Sequence, residues 1–527
     1  MKDEMLDNFK HCGRYDGINA SYHNSDWMKK YEEIPDEPRE DNQVLHDSMK
    51  VFDGQLRWNS MAVMHNINPP MLMDSVIGSL MANIYNPNLL WDYVSSDAQH
   101  MEKQVIRQMA NLCGWDSSKA FGSFTFGGKS CLMYAVRIGM NRAIAGCSNC
   151  GISGKKPVVI TSTENHYTVD YVCSFLGIGK ENCIRIPTEN DKMNIEVFED
   201  VLVECIKNNI PIAAVIVLGG NTINNSMDSV KEVYDIVSKN KDKYSLLYMP
   251  YIHFDTVVNW PWLFFKYYDF EKNEYGFDDK VIKVLKINKD LICQVKYADS
   301  MGIDFHKMGF VPYQSSLFMI KNGKELFSIN NSELEWLDEK DYGNNFTQHY
   351  TLEHSRSFAP VYGSWLALQN MGKAGFIKYI ANLIQFAFCL RKGLISNGFE
   401  WINTASKGFA TVFWCSYMDD ITLDDLKKMP DGMIKKHNEY IYNLFEEFGS
   451  GNYSDSRYVF AFIPDYISSD EGCNIAGLRI YPMSVELTEN DAEFILDDIL
   501  RIKSEFDNKY QQSSAYLKSV ELKSVPR

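Results

Sequence analysis

No stretch of this 527-residue chain strings together the roughly 18 apolar residues that a membrane-spanning helix needs. Its opening, MKDEMLDNFKHCGRYDG, lacks the apolar core of a secretory signal. Positive charge is scarce: 53 Lys and Arg stand against 69 Asp and Glu, a formal net charge of −16. Nucleic-acid and anionic-membrane binders need cationic surface, so neither nucleic acid nor membrane is an expected partner. A local basic pocket for a phosphate is compatible with that balance. The 12 Cys are spread too thinly for a disulfide framework, and they read as reduced thiols of a cytoplasmic protein. One C-x-x-C occurs, Cys147 to Cys150, and no second pair lies at zinc-finger spacing. Set in GCSNCGISGKK, it reads as a surface loop, and no metal is expected. There is no internal repeat and no low-complexity tract.

What is present is ordinary globular composition with a high aromatic share. Hydrophobic residues make up 45% and aromatics 13%, enough for a large core and an apolar pocket. The length suggests two or three packed units. Residues 1–60 are polar and read as an arm with short helices. The stretch PPMLMDSVIGSLMANIYNPN from Pro69 reads as a helix entered through a double proline, and 99–114 has apolar residues at helical spacing before Gly114. Apolar runs at 157–163, 210–220 and 245–255 alternate with helical patterns at 129–144, 166–176, 195–208 and 228–239. Continuous apolar strands separated by helices predict a mainly parallel sheet flanked by helices, an α/β architecture. After about residue 360 a long helical region leads into strands and a helix at 488–508, a smaller C-terminal α+β domain. The expected division is an N-terminal arm at 1–95, a large domain at 96–360 and a small domain at 361–527.

Open parallel sheets bind ligands at the carboxyl ends of their strands, and four features are expected there. FTFGGKS places Gly127, Gly128 and Lys129 at the start of a helix, where backbone N–H groups and the helix dipole favour an anion such as phosphate. It lacks the spacing of a Walker A loop. His166 follows the strand VVITST, where it could stack on a planar ring or move a proton. Asp255 closes the strand YMPYIHFD, and a carboxylate there could pair with a protonated ring nitrogen. Lys307 ends DSMGIDFHK, beside His306, and a lysine amine can form a Schiff base. Taken singly, each has a plain structural explanation: a tight turn, a hydrogen-bonded histidine, a helix N-cap, a chance dipeptide. Their order is that of a pyridoxal 5′-phosphate (PLP) enzyme of fold type I.

On these residues the chain resembles the group II pyridoxal-dependent decarboxylases, most closely the tyrosine and archaeal tyrosine/aspartate branch. ADSMGIDFHKMGFVPY (298–313) is similar to that family's Schiff-base segment, and HFD (253–255) to its His-x-Asp motif. Further matching blocks are YNPN, TFGGKS, NHYTVDYVCSFLGI, GGNTINNSMD and TLEHSRS. The resemblance implies that Lys307 carries PLP, that Asp255 holds its ring nitrogen and that His166 stacks on the ring. It implies Gly128, Lys129 and His306 around the phosphate, Thr222 near the phenolic oxygen and the substrate carboxylate, and Ser355 at the phosphate of a neighbouring subunit. A homodimer with sites at its interface follows. The implied reaction is decarboxylation of an L-amino acid to an amine and CO₂; the blocks do not specify the substrate, and the many aromatics suggest a pocket for an aromatic one, though core packing explains them equally well.

Three positions depart from the family pattern: Lys129 after the paired glycines, Val257 after His-x-Asp, and Trp260 where glycines are common. They could tilt the cofactor or shrink the pocket. Tyr342 is a candidate for the family's mobile-loop tyrosine; an ordinary loop tyrosine explains it as well. Loss of that tyrosine would favour decarboxylation coupled to oxidation, releasing an aldehyde. Two further activities fit the same residues: a related carbon–carbon lyase acting on a phosphorylated amino alcohol, and a PLP-fold protein without catalysis.

Overall fold

The computed structural model describes residues 26–52, 55–152, 154–330, 346–418, 421–450 and 458–512. The chain divides into two compact units. One comprises Met71–Ile384 with Ala405–Gly408; the other comprises Met1–Pro70, Gln385–Thr404 and Phe409–Arg527.

The first unit is built on a seven-stranded sheet. Its strands in chain order are β1 (Phe121–Thr125), β2 (Val158–Ser162), β3 (Cys183–Ile186), β4 (Ile212–Leu218), β5 (Tyr251–Asp255), β6 (Ser300–Asp304) and β7 (Ser316–Ile320). Their spatial order is β1-β7-β6-β5-β4-β2-β3. The run from β6 to β3 is parallel, and β7 pairs antiparallel with both β6 and β1. The expected α/β fold with a mainly parallel sheet is what forms. β4, IAAVIVL, is buried at every position, as a strand covered on both faces must be. Each large apolar side chain there contributes about 1.5–3 kcal/mol of burial, offset by lost conformational entropy.

Helices connect the strands: α1 (Met73–Tyr85), α2 (Asp97–Cys113), α3 (Gly128–Ala143), α4 (Thr168–Phe175), α5 (Ile195–Lys207), α6 (Val230–Lys243) and α7 (Asp279–Ile292). α3 presses hardest on the sheet. A Cβ on its Gly139 would fall 1.9 Å from Ala213 O, so only glycine lets the helix lie this close to β4. α1 is amphipathic in an unusual sense. Its buried positions are the small Ser75, Gly78 and Ala82, while Met73, Ile77, Leu80 and Ile84 are exposed. The helical stretch Ala359–Ser396, broken at Gly372 where φ is +54°, carries the chain out of this unit.

The second unit holds an antiparallel four-stranded sheet of β8 (Glu400–Trp401), β9 (Thr411–Trp414), β10 (Ala461–Ser468) and β11 (Asn474–Ile480), in the order β8-β9-β11-β10. Helices α8 (Asp431–Phe445) and α9 (Glu489–Gln512) accompany it. Trp414, Tyr440, Tyr481 and Ile480 are fully buried there, a core of its own.

Candidate active site

The carboxyl ends of β1, β2, β4, β5 and β6 carry the residues singled out in the sequence. β1 ends at Thr125 and the chain turns through Gly127, whose φ of +124° is a glycine conformation. α3 then starts at Gly128, with the Ser130 hydroxyl donating to Gly127 O at 2.5 Å. A Cβ on Gly128 would come within 3.2 Å of both Asp304 Oδ2 and Val257 Cγ1. The free N–H groups of a 16-residue helix therefore start beside the Lys307 segment. Lys129 is exposed on this turn, its ammonium 5.4 Å from the centre of the Tyr171 ring.

His166 follows β2. The Thr168 N–H donates to its Nδ1 at 3.1 Å, and the Thr168 hydroxyl lies 2.6 Å from the same nitrogen. Nδ1 is thereby an acceptor, and the neutral ring carries its proton on Nε2. Crowding by surrounding atoms, then the charges of Lys307, Arg185 and Lys129, push the imidazole down to about 4. His166 is neutral at pH 7. Arg185, on β3, braces this loop. Its guanidinium donates to Ser162 O (3.1 Å), Asn165 O (2.7 Å) and His166 O (3.1 Å), and pairs with Asp170 at 2.6 Å. Asn221, beyond β4, ties the next loop in by donating to Glu164 Oε2 at 3.1 Å. Thr222, half-buried, follows it.

β5 delivers Asp255, buried, and β6 beside it delivers Asp304, Phe305, His306 and Lys307. Lys307 Nζ lies 2.8 Å from Asp304 Oδ2. Asp304 Oδ1 accepts from the Ser316 hydroxyl at 2.5 Å, and His306 Nε2 sits 3.5 Å from Oδ2. Burial pushes Asp255 up to about 6 against the pull of Lys307, and Asp304 adds to the rise. Burial would also raise Asp304, but Lys307, then His306, outweigh it and hold that carboxyl below its usual range. Oδ1 of Asp255 meets no donor among the described residues. His306 is pinned by Ser315, its Nδ1 3.2 Å from the Ser315 nitrogen, and its ring centre is 4.4 Å from that of Tyr313.

Lys307, Asp255, His166 and Gly128 thus share one locality. Ser355 is exposed and accepts from Asn88 Nδ2 at 3.1 Å, while nearby Glu353 accepts from Thr125 Oγ1 at 2.8 Å, at the end of β1. Tyr342 lies outside the described residues. Trp260 is fully buried against Phe305 and Phe376, and its indole N–H donates to Asp304 O at 3.3 Å. It braces the strand end from within the core. Val257 occupies room that glycines leave: a Cβ on Gly302 would meet its Cγ1 at 3.0 Å. Sequence reasoning missed Asp304 and Arg185. The signal for Asp304 was its spacing, an acid three residues before the lysine and at the N-cap of the turn that carries it. Arg185 carried no sequence signal; only the β2–β3 pairing places it under the His166 loop.

Residues 25–257 and 285–416 match the family described as "Pyridoxal-dependent decarboxylase conserved domain". The acidic amino acid decarboxylase GADL1 of Bos taurus is 25% identical over 308 residues, 57% of this chain and 53% of that protein. The chain thus spans about half the length of that curated relative. Among solved structures, mouse CSAD in apo form superposes with a TM-score of 0.74 at 16% identity, over 95% of this chain and 96% of that one. Oryza sativa TDC with PLP and tryptamine also gives 0.74, at 14% identity and 96% of each chain. The family's cofactor is pyridoxal 5′-phosphate. The residues fit it: a buried carboxylate oxygen without a donor, an amine on the adjacent strand's end, a flat neutral imidazole and a glycine turn opening a helix suit its ring nitrogen, aldehyde, ring face and phosphate.

Proposed function

Since the chain belongs to the pyridoxal-dependent decarboxylase family, we propose that it removes the α-carboxylate of an L-amino acid as CO₂ and releases the amine, with Lys307 carrying the cofactor. The observation that carries this reading is Asp255 Oδ1, buried and lacking a donor among the described residues, on the strand paired with the one that leads to Lys307. When bound, PLP supplies an electron sink for the bond to the departing carboxylate. The chain's residues do the rest. Asp255 pairs with the ring nitrogen and keeps it protonated. His166 would stack on the ring, with its Nε2–H available as a donor. The N–H groups at Gly128, with Lys129 and His306, hold the phosphate. Thr222 would serve the phenolic oxygen and the substrate carboxylate, and Ser355 would serve the phosphate of a neighbouring subunit.

That last role needs a homodimer, and the outward apolar stripe of α1 supports one. Met73, Ile77, Leu80 and Ile84 are 49–70% exposed, a row that a second copy would cover. Two lines of support divide on the substrate side chain. The high aromatic share of 13% favours an aromatic amino acid, and the name of the bovine relative favours an acidic one; the shared blocks do not separate them, and we take the aromatic class. The test is to load the protein with PLP, offer aromatic and acidic amino acids, and assay CO₂, amine, aldehyde and peroxide together. Amine and CO₂ from tyrosine or tryptophan support the reading. Aldehyde with peroxide would replace it by the oxidative variant, and no turnover would refute it.

A further inference from the structure

If Lys307 carries the cofactor, its amine is bonded to it for only part of a turnover and must be held during the rest. The structure provides a place. Lys307 Nζ lies 2.8 Å from Asp304 Oδ2, with the lysine side chain 18% exposed and the aspartate 2%. The carboxylate is fixed independently by Ser316, which donates to Oδ1 at 2.5 Å, and the Trp260 indole N–H donates to the backbone carbonyl of Asp304 at 3.3 Å. The first turn of α3 closes the other side, since a Cβ on Gly128 would reach Asp304 Oδ2 at 3.2 Å. Asp255, by contrast, points an oxygen at no donor among the described residues. The two carboxylates around one lysine therefore have different tasks.

We propose that Asp304 is the docking partner of the free Lys307 amine, holding it as an ammonium and returning it to the same spot for re-attachment. The proton balance is closed by the substrate. An amino acid arrives as an ammonium and must lose one proton before its nitrogen can bond in place of the lysine. The displaced lysine amine takes that proton and settles against the Asp304 carboxylate. Before it bonds again it gives the proton back to the departing product amine. No net proton is consumed in the exchange. Asp304 touches a reacting atom and so acts as a catalytic residue, distinct from Asp255, which serves the ring nitrogen in the proposed reaction. The ionisable groups facing Lys307 are Asp304, Asp255 and Tyr313, with His166 and His306 also within electrostatic reach. Burial alone would lower the amine's affinity for protons; Asp304, then Asp255 and Tyr313, outweigh it and hold the amine above its usual range.

This rests on Lys307 being the cofactor-bearing residue, but its test needs neither substrate nor turnover. The full chain, stripped of cofactor, is treated with formaldehyde and cyanoborohydride across a pH series, and methylation of Lys307 is followed by peptide mass spectrometry. In the wild type Lys307 should label more slowly at pH 8 than exposed lysines of the same chain. Asp304→Asn, which keeps shape and the Ser316 contact, should label at least roughly tenfold faster at pH 8, the equivalent of one proton-affinity decade. Equal rates in wild type and variant would overturn the proposal. Should the Asp304→Asn variant misfold, the wild-type series decides alone: Lys307 labelling at or above the rate of exposed lysines also overturns it. Failure of decarboxylation with the expected labelling would sink the proposed reaction and leave the Asp304 assignment standing.

Discussion

The floor and the rim of the site are built on different plans. The floor, at the ends of β5 and β6, is buried: Asp255 is 6% exposed, Asp304 1% and His306 6%, each set among neighbours on its own or adjoining strands. The rim, with Lys129, His166 and Ser355, is open to solvent. Buried charges are costly unless paired, so the chain itself satisfies the floor apart from Asp255 Oδ1, which meets no donor among the described residues. The rim can wait for what covers it: the cofactor, the substrate or a second copy. The difference predicts that floor substitutions cut deepest and that loss of an exposed rim charge such as Lys129 only grazes.

The largest effect is expected at Lys307. Lys307→Ala should abolish the visible absorption of the bound cofactor, and a surviving band would break the division at its root. Asp255→Ala should cost roughly 10³-fold or more in kcat, several kcal/mol of barrier; near-normal turnover would remove Asp255 from the floor. Its protonation offers a subtler test. Asp255 is pushed up to about 6 in the chain by itself, so the carboxylate that pairs with a cation prevails above that value and is lost as pH falls through it. Cofactor affinity should therefore drop below about pH 6, and Asp255→Asn should erase that limb in a titration followed by fluorescence.

Arg185→Ala lies between floor and rim. Freed from its anchors, His166 should drift, at a cost of up to roughly 10²-fold in kcat/KM. Because Arg185 also helps depress His166, the acid limb of the pH profile should move upward, and Arg185→Lys should partly restore both. An unchanged profile would reduce Arg185 to a fold residue. The smallest effect belongs to Lys129→Met, on the rim. An exposed charge contributes about 1 kcal/mol or less, roughly fivefold in cofactor affinity. A loss of a hundredfold there would mean that the rim is as constrained as the floor.

The same contrast explains what could be read from sequence. β2, β4 and β5 are apolar runs that stand out plainly, and the helices after them carry clear apolar stripes. The α/β sheet followed from these. β1, β3, β6 and β7 were not legible as strands. β1 (FGSFT) and β6 (SMGID) are interrupted by glycine and by serines that are buried yet hydrogen-bonded, and β3 (CIRI) is four residues long. Asp304 falls in that blind spot: it is the last residue of a strand that does not look like one. Arg185 is illegible for the same reason. Its partners Ser162, Asn165 and His166 lie 23, 20 and 19 residues away and meet it only through a parallel pairing. Trp260 read as an obstruction in the pocket because sequence gives no inside and outside; its ring in fact lies in the core behind Asp304.

Everything proposed for the floor depends on the cofactor bonding to Lys307. Borohydride reduction of the PLP-loaded protein, followed by proteolysis and mass spectrometry, asks that question without passing through activity. One modified peptide is expected, bearing the pyridoxyl group on Lys307. The same group on Lys129 or any other lysine, with Lys307 unmodified, would overturn the assignment.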